Sequence, residues 1–184
     1  MCLNKITNNN PCIQDLLDAG FKAEVDKRGK NWLIGYRTRV TGLGHKDYEV
    51  GKSYNQIDYT KEFIRDTLVA EENYSVEEAE NIMEAIYHHT NLIESGALRT
   101  NSGELHYGGF FVFANLDQCK AWGEGMQELV KVHIWPSHVH TLGTQVWIDD
   151  KGHMHDAVVC VTTEMRVVES VFKPDVGTLS EEDV

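Results

Sequence analysis

The feature that most constrains the fold is the succession of extended segments after residue 108, interrupted by only one short helical pattern. Gly108-Gly109-Phe110-Phe111-Val112-Phe113-Ala114 is an apolar run opened by glycines, the pattern of a strand covered on both faces. Asn115 then supplies a cap for a short helix through Cys119 and Trp122, and Gly123 ends it. Residues 128–135 alternate Leu129, Lys131, His133 and Trp135 against Val130, Val132 and Ile134, and Pro136 stops the run. Residues 144–148 and 157–161, joined through Asp149-Asp150-Lys151-Gly152, read as a hairpin, and residues 164–172 form a last strand. Strands that follow one another, without a crossover helix between each pair, make a sheet that is mainly antiparallel. The expected class is therefore α+β, and a doubly wound parallel sheet is the poorer fit.

The first half carries two earlier extended pieces. Residues 31–40 form a strand whose end alternates Tyr36, Thr38 and Val40 against Arg37 and Arg39, and residues 48–54 form a shorter one. Before them, residues 1–30 read as a polar lead with one short helix, with Asn10 as its cap, Pro11 in its first turn and Gly20 beyond its end. Between the early and late strands, residues 61–98 read as an insertion of two acidic helices divided near Asn73. Ser75 and Glu78 form a capping box for the second. Residues 31–172 thus make one α+β domain holding that insertion, and residues 173–184 make a loose acidic tail.

Charge sharpens this division. The 184 residues hold 17 Lys+Arg against 29 Asp+Glu, a formal net charge of −12. Residues 61–96 have nine acids against Lys61 and Arg65, and the tail has four against Lys173, so the strand-rich part is close to neutral. Such a field repels phosphate backbones and argues against sequence-independent nucleic-acid binding. It leaves room for a small anionic ligand on the sheet, at Tyr36, Arg37, Arg39, Phe111 and Trp135. The acidic helices suit a basic protein partner, met through Glu77, Glu80 and Glu84.

No apolar run reaches the roughly twenty residues that a bilayer requires, and the N-terminus lacks a signal-peptide pattern. A cytoplasmic protein is expected. Cys2, Cys12, Cys119 and Cys160 are scattered without a CxxC pair, so they read as free thiols. Two His-x-His pairs, His138/His140 and His153/His155, each place two imidazoles on one face if extended. Were the hairpin to bring them together, Asp156 or Glu164 could add an oxygen and complete a zinc or other transition-metal site. Gln145 stands where a cupin-like site would carry its carboxylate, and no cofactor is required by any motif. Phosphate loops, nucleophile elbows and HExxH are absent from the sequence.

Two resemblances bear on function. An opening Met1-Cys2-Leu3, then Ile34-Gly35-Tyr36-Arg37, Tyr48-Glu49-Val50-Gly51-Lys52-Ser53-Tyr54 and Gly109-Phe110-Phe111-Val112-Phe113, followed by a helix with Cys119-Lys120-Ala121-Trp122, resembles a family of small proteins of tailed phages and prophages. This resemblance implies a phage-encoded accessory protein in a bacterial host's cytoplasm, directed at host machinery in a counter-defence role. It implies no catalytic residues. The lack of a catalytic motif, the β-rich scaffold and the acidic helices point to a non-enzymatic binder of a host protein or a small nucleotide. The order of an early-strand arginine (Arg37), a central strand and a late glutamate (Glu164) is similar to that of ADP-ribosyltransferases. That likeness implies Arg37 on dinucleotide phosphates and Glu164 at the reacting sugar, though Phe-Val-Phe replaces the expected serine motif. A His-metal protein and a minor virion component are the further alternatives.

Overall fold

The computed structural model of the chain describes residues 3–40, 48–56, 58, 62, 65, 68, 69, 74–89, 97–99, 105–107, 109–122, 127–149 and 151–172. Its centre is a nine-stranded, mostly antiparallel sheet curved as a half-barrel and accompanied by helices, three of them bounded among the described residues, in keeping with an α+β class. In chain order the elements are β1 (Lys5–Asn9), α1 (Ile13–Asp18), β2 (Lys22–Val25), β3 (Asn31–Val40), β4 (Ser53–Asn55), α2 (Val76–His89), β5 (Ala97–Arg99), β6 (Leu105–Tyr107), β7 (Phe110–Phe113), α3 (Leu116–Trp122), β8 (Gln127–Ile134), β9 (Val139–Ile148), β10 (Met154–Thr162) and β11 (Glu164–Phe172). A single 3-10 turn, Pro136–His138, links β8 to β9. The strands lie in the order β1-β9-β10-β7-β3-β8-β11-β4, with β2 also on β3, and β5 pairs with β6 separately.

Strand β3 organises the sheet. One edge pairs with β8 from Leu33↔Ile134 to Val40↔Gln127. The other edge is shared, by β2 up to Lys22↔Ile34 and by β7 at Tyr36↔Phe113. Gly35 sits between these two neighbours, where a Cβ would lie 2.1 Å from Val112 Cγ1 and 3.3 Å from the Phe113 carbonyl oxygen. Only a residue without a side chain lets β7 close on β3 here.

Side-chain alternation divides the apolar residues between the two faces. On the first face Leu33, Val130, Val132, Ile134, Phe110, Val112, Cys160, Met165 and Val167 pack with Leu16, Phe21, Tyr48 and Tyr54. On the second, Phe111, Phe113, Leu129, Ala157, Val159 and Val161 pack with Leu3, Cys119 and the flank of Trp122. All four residues of β7 are buried, as expected for an uninterrupted apolar strand covered twice. Helix α3 covers β3, β7 and β10. Its start is fixed by Asn115, whose Oδ1 accepts from the Asp117 and Gln118 N–H groups at 2.8 and 3.1 Å.

The N-terminal stretch does more than the expected polar lead. β1 pairs with β9 and β2 with β3, so both strands belong to the main sheet. Their sequences, KITNN and KAEV, lack the apolar alternation that marks a strand, because each exposes most of its side chains. Helix α1 also begins later than Asn10 predicts. Its N-cap is Cys12, whose N–H donates to Asp15 Oδ2 at 2.8 Å, while Asn10 holds a left-handed φ of 56°. The exit matches expectation: Gly20, at φ 99°, donates to the Leu17 carbonyl and Phe21 donates to that of Leu16. Leu16 and Phe21, both buried, close that turn on the first face.

Residues 48–54 are less extended than expected. Only Ser53–Asn55 pairs as a strand, because Gly51 turns the chain at φ 91° and Lys52 N–H donates to the Glu49 carbonyl. Of the helical insertion, the second helix is α2. The Ser75 N–H and hydroxyl donate to Glu78 Oε2 at 2.9 and 2.6 Å, and Glu78 N–H returns to Ser75 Oγ at 3.3 Å. Most of the first expected helix and the tail 173–184 lie outside the described residues. Among the described residues no helix is long and apolar enough to cross a membrane.

Candidate functional site

The strand registers set out a band of aromatic and charged side chains on the second face, beyond the part that α3 covers. One row across five strands is Lys22, Ile34, His133, Arg166 and Ser53. On one side of it lie Glu24 opposite Trp32, and Glu164 opposite Asn55. On the other side Tyr36 faces Lys131, which faces Glu169. None of these residues is buried.

Rings form the middle of the band. Trp32 and Trp135 have centroids 4.3 Å apart at 46°, and His133 stacks on Trp32 at 5.6 Å and 24°. The Lys30 ammonium lies 5.3 Å over the Trp135 ring, within reach of the ring's negative face. Trp32 is fixed through its Nε1–H, which donates to Asp26 Oδ2 at 3.1 Å. Asp26 Oδ1 in turn accepts the Arg28 and Lys30 N–H groups and so shapes the turn that carries Lys30. These hydrogen bonds, foremost that from the Lys30 backbone, hold the Asp26 carboxyl below its usual range.

Two imidazole–carboxylate contacts flank the rings. Glu24 Oε2 lies 3.5 Å from His133 Nε2 and 3.6 Å from Lys131 Nζ. Glu164 Oε2 lies 3.2 Å from His138 Nδ1, and Asn55 donates to Glu164 Oε1 at 3.2 Å. Neither imidazole nitrogen is aligned for a hydrogen bond to its carboxylate. For His133, burial lowers the pKa and Glu24 opposes that shift. The lowered value favours the neutral ring, which stacks on Trp32.

The five residues expected to form one ligand pocket do not come together. Tyr36 and Trp135 belong to the second face, and Phe111 is buried there beneath α3. Arg37 pairs with Val130 on the first face. Its Nε–H donates to the Tyr48 hydroxyl at 2.7 Å, its Nη1 donates to the Phe111 carbonyl at 3.0 Å, and its guanidinium lies over Phe110. It is a packing residue tying β3 to the 48–54 segment. Arg39 lies opposite Glu128 by register, and its side chain is outside the described residues.

Arg37 and Glu164 are likewise separated. Glu164 alternates with Met165, a first-face core residue, and so points to the second face with Arg166. Arg37 is level with Ser170, and Glu164 lies roughly 15–20 Å further along β11 at ~3.3 Å per residue. The His-x-His pairs also stay apart. His138 and His140 flank the start of β9, whereas His155 is opposite Trp147 near its end. An antiparallel hairpin puts residues near the loop at one end and residues far from it at the other. Seven positions of β9 separate His140 from Trp147, roughly 23 Å. Among the described residues no group of three or more His, Cys, Asp or Glu is placed to hold a metal ion.

Trp32, Lys30, Lys131 and Arg166 are the site residues that sequence reading passed over. The alternation Lys131, His133, Trp135 did signal one shared face. Glu24 carried no signal, since β2 is recognisable only from its partner. No protein-family model matches the chain, and no curated protein or solved structure is significantly similar to it.

Proposed function

We propose that this chain is a non-enzymatic binding protein that takes a planar, anionic small ligand of the nucleotide class on the Trp32–Trp135 band. The observation that carries the proposal is the ring array itself. Trp32 contacts both His133 and Trp135, and the Lys30 ammonium lies over the Trp135 ring. A base stacking on Trp135 would move the Lys30 ammonium aside, toward the ligand's phosphate. Lys22 and Arg166, both exposed, add positive charge on the same face. The phage-family resemblance fits an accessory role, sequestering such a ligand in an infected bacterium.

Base–aromatic stacking contributes ~1–3 kcal/mol per base, and 1.4 kcal/mol is a tenfold change in affinity. Titration of adenine and guanine nucleotides, followed by tryptophan fluorescence and calorimetry, is expected to show saturable binding of at least one of them. Trp135→Ala should weaken it at least about fivefold and Lys30→Ala should weaken phosphorylated ligands selectively. Absence of binding at millimolar nucleotide refutes the reading.

A second reading rests on α2, where Glu77 and Glu80 are exposed on a helix whose start is fixed by Ser75 and Glu78. These acids, with Glu84 in the same helix, would meet a basic host protein. The triple charge reversal to lysine abolishes a stoichiometric complex if this is so, and leaves it unchanged if the acids are only a solvated face.

A further inference from the structure

Glu164 stands at the edge of the tryptophan pair. Leu33↔Ile134 closes the β3–β8 ladder, and one step beyond it Trp32 comes level with Trp135, in keeping with ring centroids 4.3 Å apart. On the other edge of β8, Arg166 faces His133, so two residues further on Glu164 comes level with Trp135. Adjacent strands lie about 4.8 Å apart, and residues two apart share a face. The turn after β8 makes the same connection. The His138 N–H donates to the Trp135 carbonyl at 3.0 Å, and His138 Nδ1 lies 3.2 Å from Glu164 Oε2. The row therefore runs Glu24, Trp32, Trp135, Glu164, Asn55 across the second face. Its two acids differ in their surroundings. Glu24 Oε2 sits between His133 Nε2 and Lys131 Nζ, at 3.5 and 3.6 Å, which offset its charge. Glu164 is 46% exposed, and Asn55 donates to its Oε1 at 3.2 Å, which fixes the direction of the carboxylate. An ionised carboxylate has about four acceptor positions, so both oxygens can take a further donor.

We infer that Glu164 makes the band selective for guanine among the nucleotide bases, an assignment that rests on a base stacking on Trp135. Lys30 reaches the Trp135 ring from the β3 side and Glu164 approaches it from the β11 side. Phosphate and base edge are thus drawn in opposite directions, and the Watson–Crick edge of a base on Trp135 meets the Glu164 carboxylate. Guanine carries two adjacent donors on that edge, N1–H and N2–H, one for each carboxylate oxygen, and both bonds are charge-assisted. Adenine has an unprotonated N1 at the same place, and its lone pair is repelled by the carboxylate. Cytosine repeats that conflict at N3, and uracil offers one N–H between two carbonyl oxygens. Selectivity therefore comes from a repulsive element as well as an attractive one.

Calorimetric titration of the full chain with the monophosphates of guanosine, inosine and adenosine tests this. Guanosine monophosphate is expected to bind at least about tenfold tighter than adenosine monophosphate, the size of one hydrogen bond to a charged group. Inosine monophosphate, which lacks the N2 amino group, should fall between them. Glu164→Gln offers an amide oxygen to adenine N6–H and an amide N–H to adenine N1, so it should abolish the preference or reverse it. The comparison of the three ligands in the unaltered chain decides independently of how that variant folds. Adenosine monophosphate binding as tightly as guanosine monophosphate, or an unchanged ratio in Glu164→Gln, overturns the guanine assignment and leaves the stacking band in place. Binding of none of the three at millimolar concentration removes the band itself and the assignment with it.

Discussion

Replacing Gly143 with alanine tests whether the N-terminal strand is integral to the sheet. A Cβ on Gly143 would lie 2.3 Å from the Lys5 carbonyl oxygen and 2.9 Å from Leu3 Cδ1. The first neighbour is backbone on the adjacent strand β1, paired at Ile6↔Gly143, and cannot rotate out of the way. Two outcomes bound the effect. If β1 moves slightly and stays paired, the penalty is that of overpacking, about 1–3 kcal/mol. If β1 leaves β9, the chain also loses the burial of Leu3, fully enclosed on the second face, worth ~1.5–3 kcal/mol, and several ladder hydrogen bonds at ~0.5–1.5 kcal/mol each. The sum then reaches about 4–6 kcal/mol, a large part of a domain's stability. Leu3→Ala alone removes a buried side chain and should cost ~2–5 kcal/mol. Urea unfolding of both single variants and the double variant forms a cycle. Where β1 detaches, Leu3 contributes nothing further, so the double variant should be little worse than Gly143→Ala, with a coupling as large as the Leu3→Ala loss itself, ~2–5 kcal/mol. A Gly143→Ala effect under about 0.5 kcal/mol refutes the packing of residues 3–9 against β9, and strict additivity beside a Gly143→Ala loss of about 4 kcal/mol or more refutes the detachment of β1.

Three further outcomes follow from particular contacts. Asn115→Ala removes the oxygen that accepts two N–H groups at the start of α3 and should lower stability by ~0.5–2 kcal/mol in the same urea assay, whereas Asn115→Asp should stay close to the original. Burial pushes the thiols of Cys119 and Cys160 well up, while Cys12 is exposed; maleimide labelling read by mass spectrometry should modify Cys12 in the native protein and reach the two buried thiols only on unfolding. The folded-state pKa values of His133 and His140 are lowered, chiefly by burial. The unfolded chain then binds more protons than the folded one between those values and about 6.5. Their contribution to stability is thus complete above about pH 6.5 and is lost as the pH falls below it. A His133→Gln variant should show a flatter fall in urea midpoint from pH 7 to 5, and an unchanged slope removes His133 from this account.

The apolar signals were the reliable ones. Phe110–Phe113, the alternation around Val130 and Val132, and the 144–161 hairpin all project as read, because their burial is dictated by patterns within one segment. Asn115 and the Ser75–Glu78 box were legible for the same reason, since a cap is satisfied within four residues. β1 and β2 were hidden because an edge strand with polar side chains is defined by the backbone it pairs with. The candidate site was half visible: Trp135 stood out, but Lys30, Trp32 and Glu24 reach it from other segments.

Sequence by itself therefore determined the class of fold, the position of most strands and the placing of negative charge outside the sheet. Tertiary structure alone decided which chemical groups meet. Whether two residues on different strands share a face depends on register, and a one-residue slip reverses it. Register separated Arg37 from Glu164 and drew Glu164 to His138 instead. Hairpin geometry in the same way parted the two His-x-His pairs and set His153 and His155 around Asp149.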